Sequence, residues 1–258
     1  MTIDVEPVPF ERIEPLRALH RQAMRCQVVG DSLPGRGFGD LFLLLVDARV
    51  AGYGFVMGYR GEPRDIVREF FLLPPFRAFA VPLFRKLIEV SSACTVLAQT
   101  NDTLLTLMLL DFTTGLTSDT ILFADAVTTH LVAPSVRFRR TITAENETIF
   151  GHLSEPVGDW VIETEGEIVA TGGIMTHYNP PYGDIFMEVA APFRRQGLGS
   201  FLVQELKRVA YESGLIPAAR CDVINTASRA TLERVGLLPC ARMVRGVLDA
   251  SRLVGIPT

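Results

Sequence analysis

The sequence predicts a chain made of two tandem copies of one α/β fold. Three observations predict it. Strand and helix patterns alternate along the whole length, with hairpins among the strands. The stretch Asp47-Ala-Arg-Val-Ala-Gly-Tyr-Gly-Phe-Val-Met57 is similar to Glu165-Gly-Glu-Ile-Val-Ala-Thr-Gly-Gly-Ile-Met175. Downstream of each comes a strand bearing a glutamate, Glu69 and Glu188, then Pro75-Phe-Arg77 and Pro192-Phe-Arg194. Each half then shows an apolar helix, a strand and an asparagine, Asn101 and Asn225. The 258 residues suffice for two ordinary domains. Ala133-Pro134-Ser135 is a plausible junction, which divides the chain into 1–134 and 135–258.

In the first half a helix is expected over Pro9 to Met24, with Leu16, Leu19 and Ala23 on one face and Arg17 and Arg21 elsewhere. Gly30 to Gly39 is glycine-bearing, but it follows no clear strand and opens no helix, so it reads as a loop and not as a phosphate cradle. Strands are expected at Leu41 to Val46, Val50 to Tyr59 and Ile66 to Leu73. A helix over Phe79 to Ser91 tolerates Pro82 only in its first turn. A strand at Thr95 to Gln99, a helix at Asp102 to Leu110, and strands near Thr120 to Val127 and Thr129 to Val132 complete this half.

The second half begins with a strand at Val136 to Thr143 and a short helix at Glu145 to Leu153. Trp160 to Glu165 and Glu167 to Thr176 form a hairpin through Gly166. Asp184 to Ala190 is a strand. The helix Ser200 to Ser213 carries Leu202, Leu206 and Val209 on one face, and Gly214 ends it. A strand at Ala219 to Val223, a helix at Ala227 to Val235 stopped by Gly236, and a strand at Met243 to Leu248 follow.

Composition narrows the function classes. A net charge of -4 gives no reason to expect nucleic acid or an anionic membrane as partner. No apolar run is long enough to span a bilayer, and the start shows no signal-peptide pattern. The scattered cysteines Cys26, Cys94, Cys221 and Cys240 fit free thiols in a reducing cytoplasm. The four histidines show no ligand spacing, so no metal is expected.

One segment carries chemistry. In Val189-Ala-Ala-Pro-Phe-Arg194-Arg-Gln-Gly197-Leu-Gly199-Ser-Phe-Leu a strand ends, a turn holds two glycines, and an amphipathic helix starts at once. Consecutive N–H groups at such a turn point into one concavity, and the helix start adds partial positive charge, which suits a pyrophosphate. Arg194 and Arg195 add charge outside it. No Gly-Lys-Ser/Thr ending is present, and no third glycine stands at dinucleotide spacing.

The segment resembles the acyl-CoA signature of the Gcn5-related N-acetyltransferase (GNAT) family, Arg/Gln-x-x-Gly-x-Gly/Ala, through Arg194, Gly197 and Gly199. Cys221-Asp-Val-Ile-Asn225, with the helix that ends in Gly236-Leu, is similar to the family's later motif. The resemblance covers about Val136 to Leu248. It implies two tandem acyl-CoA N-acyltransferase-like domains, each a mixed, mostly antiparallel sheet flanked by helices. It implies transfer of an acetyl group from acetyl-CoA to a primary amine, and it leaves a homodimer open. It further implies that the strand ending in Val189 splays from its neighbour near Ala219 to Val223. Pantetheine would lie in that gap on the backbone of Val189 and Ala191, and the pyrophosphate on the amides of Gln196, Gly197, Leu198, Gly199 and Ser200. Asn225 and Ser228 would contact the cofactor from the other side; a helix cap is the other reading of Asn225.

For the chemistry, the N–H of Val189 is the candidate oxyanion donor. Glu188 is the candidate general base, since alternation puts Asp184, Phe186 and Glu188 opposite Met187 and Val189. A structural ion pair is an equally open reading of Glu188. Two departures from the family stand out. Leu232 occupies the place where many relatives carry a tyrosine acid. The first half has Ala80 and Pro82 in place of Gly197 and Gly199, so acyl-CoA binding is not expected there. A non-catalytic acyl-CoA-binding sensor is the alternative function.

Overall fold

Apolar residues alternate through Phe42, Leu44 and Val46 of one strand and build one face of a sheet, and Ile162, Ala170 and Ile185 of three neighbouring strands build a face of a second core. The computed structural model describes residues 1–59, 61–133, 135–142, 149–151 and 158–254. It divides into two units, Met1–Thr120 with Ala241–Thr258 (unit 1) and Ile121–Cys240 (unit 2).

Unit 1 opens with β1 (Ile3–Pro7) and α1 (Phe10–Met24), followed by β2 (Gly39–Val46), β3 (Arg49–Met57) and β4 (Ile66–Leu72). Then come α2 (Ala80–Ser91), β5 (Thr95–Gln99) and α3 (Thr103–Phe112). Strands β1 to β4 pair antiparallel in sequence order, and β5 joins β4 in parallel. The last partner of β5 comes from the far end of the chain: Thr95–Gln99 pairs antiparallel with Met243–Val247. One face packs on α2 and α3 through Phe70, Phe84, Leu87 and Phe112. The other packs on α1 through Ile13, Leu16, Tyr53 and Phe55.

Unit 2 holds β7 (Arg137–Arg140), β8 (Trp160–Thr164), β9 (Glu167–Met175), β10 (Tyr182–Val189), α4 (Leu198–Glu212), β11 (Ile216–Asp222) and α5 (Thr226–Arg234). Strands β7 to β10 pair antiparallel in order. β11 joins β10 in parallel over Tyr182–Ile185 and Ile216–Ala219. Leu202, Val203 and Leu206 of α4 fill the core against Val169, Ile185 and Ala219; of the expected stripe Leu202 and Leu206 are buried, while Val209 is only half-buried and Val203 takes its place. Each unit is therefore a mixed, mostly antiparallel sheet flanked by helices. The order β2-β3-β4-α2-β5-α3 recurs as β8-β9-β10-α4-β11-α5.

Two strands cross the division. β6 (Thr113–Asp125) leads from unit 1 into unit 2, where Ile121 and Phe123 join the core. β12 (Leu237–Leu248) leads back. The expected division at 134/135 kept the chain end with the second half; the observed units assign Ala241–Thr258 to the first.

Several local expectations change. β1 had no counterpart in the sequence reading. The two strands expected at Thr120 to Val127 and Thr129 to Val132 are one strand that starts at Thr113, and 129–132 is not a strand. Most of the helix expected over Glu145 to Leu153 lies outside the described residues; Ile149–Gly151 is a 3-10 turn. The largest change is in α1. Its buried face is Ile13, Leu16, Arg17, His20 and Met24, whereas Leu19 is exposed. The stripe is rotated because Arg17 and His20 have ionic and hydrogen-bonding partners inside. Arg17 sends two N–H groups to Glu69 (2.9 and 2.8 Å) and another to Asp31 (2.8 Å). Tyr53 donates to Glu69 at 2.8 Å, and His20 lies between Tyr53 (Nδ1 to Oη, 2.8 Å) and Asp102 (Nε2 to Oδ2, 3.0 Å). Burial pushes the Glu69 carboxyl up, but the Arg17 charge and the hydrogen bonds from Arg17 and Tyr53 pull it further down, to about 2.

Candidate functional site

The site starts from the end of β10. Ala190 donates to Val169 O at 2.9 Å, so residues 190 and 169 form a hydrogen-bonded pair of the β9–β10 ladder. Such pairs alternate in antiparallel sheets, and Val189 opposite Ala170 is therefore a non-hydrogen-bonded position. Its N–H and C=O point away from β9, toward the side of β11. The β10–β11 register ends at Ile185 opposite Ala219, so Val189 lies past the paired stretch. Its carbonyl accepts from Nε of Arg194 at 3.0 Å.

After β10 a 3-10 turn, Ala191–Phe193, redirects the chain. Arg195 and Gly197 then adopt left-handed backbone, with φ of 63° and 83°. Gly197 is the N-cap of α4, and a side chain there would meet open space but carry the strain of that φ. The first helical bond returns from Phe201 N to Gly197 O at 3.0 Å. The amides of Leu198, Gly199 and Ser200 consequently have no partner within the helix. A Cβ on Gly199 would sit 3.4 Å from Met187 Cε and Val189 Cγ2, which locates both side chains under the start of α4. That is the face opposite Glu188, as strand alternation requires.

These groups converge on a cleft of about 730 Å³. Glu188 and Val189 line it from β10; Arg194, Arg195 and Gly197 from the turn; Leu198, Gly199 and Ser200 from α4; Asn225 and Ser228 from α5. Two of the expected residues do not line it. Gln196 faces an adjoining groove, and Ala191 sits in the 3-10 turn. Asn225 is a helix cap, its Oδ1 accepting from Ser228 N at 3.0 Å, and it lines the cleft as well.

Arg234, at the end of α5, lines both the cleft and the groove beside it and went unnoticed in the sequence. Its signal was its place at the last turn of the helix facing the glycine turn. None of Arg194, Arg195 and Arg234 has a carboxylate partner among the described residues. Amides without helical partners and cations without counter-ions suit an anionic ligand. Leu232 is buried in the core, so the helix offers no acid at that position. Tyr178 is held by Arg220, which also pairs with the buried Asp184 at 3.2 Å.

The repeat needs two corrections. Aligned on Pro-Phe-Arg, Glu69 matches Phe186 rather than Glu188, and it is consumed by Arg17 and Tyr53. The residue that heads α3 is Asp102, not Asn101: its Oδ1 accepts from Leu105 N as Asn225 accepts from Ser228 N.

Residues 126–237 match the family model described as "Acetyltransferase (GNAT) family". No curated protein matches the chain. Among solved structures, a GNAT-family acetyltransferase from Colwellia psychrerythraea superposes with a TM-score of 0.74 at 15% identity, over 95% of this chain and 100% of that one. A tandem GNAT protein from the clavulanic acid biosynthesis pathway gives 0.61 at 13%, over 96% and 99%. A GCN5-related N-acetyltransferase from Sphaerobacter thermophilus gives 0.57 at 15%, over 95% of each chain. At these identities the likeness is one of fold, and it runs through both units; the family model itself matches residues 126–237, the stretch of unit 2 that holds the glycine turn at Arg194 to Gly199.

Proposed function

We propose that unit 2 moves an acetyl group from acetyl-CoA to a primary amine by direct attack. The observation that carries this reading is the set of amides at Leu198, Gly199 and Ser200, without helical partners and open to a cleft ringed by three arginines. The donor supplies a thioester, an electrophile that needs no prior activation. The N–H of Val189 points to the side where β10 and β11 no longer pair, and there it stabilises negative charge on the thioester oxygen. Glu188, on the opposite face of β10, takes the proton of the incoming ammonium. Arg194 releases the Val189 carbonyl when pantetheine enters. Unit 1 does not take acyl-CoA, because Ala80 and Pro82 replace the glycines of the turn.

Steady-state thiol release over a panel of amines tests the reaction, and the rise in melting temperature with acetyl-CoA tests binding. Glu188→Gln is expected to lower kcat about 100-fold, within the range for general bases. Gly197→Trp is expected to abolish the acetyl-CoA shift, while Ala80→Trp keeps it. Loss of the shift in both variants refutes the assignment of the ligand to unit 2. A second reading, acyl-CoA binding without turnover, draws on the buried Leu232 where relatives carry an acid. A large thermal shift with no thiol release on any amine selects it.

A further inference from the structure

Unit 1 contains a pocket of about 520 Å³ at the sequence-equivalent positions of the cleft in unit 2. Counted from Pro-Phe-Arg, Phe71 and Leu72 stand for Glu188 and Val189, Arg77 for Arg194, and Ala80 for Gly197. Its chemistry is different. Pro82 has no N–H to offer, and Ala80 is buried at the head of α2. The lining is mostly apolar, with Phe70 and Leu72 from β4 and Leu104, Leu107 and Met108 from α3.

On α3 the residues Leu104, Leu107, Met108 and Asp111 follow i, i+3, i+4, i+7 and share one face. Leu107 is nonetheless 49% exposed, because this stretch of the face meets an open cavity and not the core. Two charges line the same pocket, Arg77 after β4 and Asp111 on the last turn of α3. Both are solvent-exposed, and neither is ion-paired among the described residues, with each other or with a third group. Behind the wall runs the chain of hydrogen bonds from Arg17 through Glu69, Tyr53 and His20 to Asp102, which caps α3. Buried ionic groups are a weak source of stability, and apolar replacements often serve as well. Here they fix His20 and Asp102, both on the pocket wall, and with them the first turn of the helix that lines it.

We propose that this pocket binds a free amino acid with a bulky apolar side chain: its carboxylate on Arg77, its ammonium on Asp111, its side chain between β4 and α3. An apolar chamber with one free cation and one free anion at its edge matches a zwitterion better than an acid or an amine. The proposal goes beyond acyl transfer and does not depend on it.

Isothermal titration calorimetry on the full chain tests it, with L-phenylalanine, 3-phenylpropanoate and 2-phenylethylamine as probes. L-phenylalanine is expected to bind one per chain, and each analogue, having lost one charge-assisted contact, about tenfold more weakly. Arg77→Gln is expected to erase the advantage over the amine while keeping that over the acid, and Asp111→Asn the reverse. Ala23→Trp, on the exposed rim, is expected to abolish binding, with Leu107→Glu as the second blocking variant should the first fail to fold by circular dichroism. Equal affinity for the three probes, no binding of L-phenylalanine, or binding retained in every folded blocking variant overturns the proposal.

Discussion

The cleft of unit 2 and the pocket of unit 1 occupy corresponding places in one fold, yet they are lined by opposite chemistries. In both, the end of the fourth antiparallel strand, a Pro-Phe-Arg turn and a capped helix enclose the cavity. In unit 2 the walls present backbone amides and three arginines. In unit 1 they present leucine, phenylalanine and methionine, backed by a buried ionic network. The comparison separates two roles. Topology decides where a cavity forms, and a few side chains decide what enters it.

The contrast is broken most sharply at Arg17. Arg17→Met leaves Glu69 and Asp31 without their buried counter-charge, and breaking such a pair costs about 3–5 kcal/mol. Urea unfolding should show that loss, and no single ion-pair substitution around the exposed cleft of unit 2 should equal it. The same network sets an acid limit. The Glu69 carboxyl is depressed from 4.5 to about 2, so its contribution is fully present above pH 4.5 and disappears as pH falls through about 2. Thermal melts between those values should steepen the decline, and Glu69→Gln should flatten it.

The two helix caps sharpen the comparison at a smaller scale. Asn225→Ala removes a cap worth about 1 kcal/mol. Asp102→Ala removes a cap and the partner of His20 together and should cost about 2–3 kcal/mol. Equal costs in paired unfolding curves would mean that the His20 contact contributes nothing. The paired arginines carry the contrast into binding. Arg194→Ala should weaken acyl-CoA binding about tenfold, the scale of one charge-assisted contact, while Arg77→Ala leaves it unchanged.

What was legible in the sequence follows from how local each feature is. Arg194, Gly197 and Gly199 lie within one turn, and glycine at φ 83° announces its backbone wherever it stands. Leu202 and Leu206 of α4 were legible because they pack against apolar neighbours, whereas Lys207, buried on the same helix and paired with Asp125, was not. The network of unit 1 was not, because Arg17, Tyr53, Glu69 and Asp102 come from four separate elements and only the fold brings them together. Arg17 on α1 therefore stood off the expected stripe, and Leu19, which is exposed, stood on it. β1 was missed because Ile-Asp-Val-Glu-Pro buries a single residue, Val5. β6 was cut short because Thr-Thr-Gly-Leu-Thr-Ser-Asp-Thr is as polar as a loop. The glycine turn, by contrast, is written in six consecutive residues, Arg194 to Gly199.

The pairing of Thr95–Gln99 with Met243–Val247 has a practical corollary for anyone who would dissect the chain. A single cut near residue 134 frees no finished piece. The leading fragment keeps Ile121 and Phe123, which belong inside unit 2, and forfeits the closing strand of its own sheet. The trailing fragment carries that strand with nothing to zip against. Each would expose a raw sheet edge and tend to aggregate on its own, and the two would become soluble only when made together.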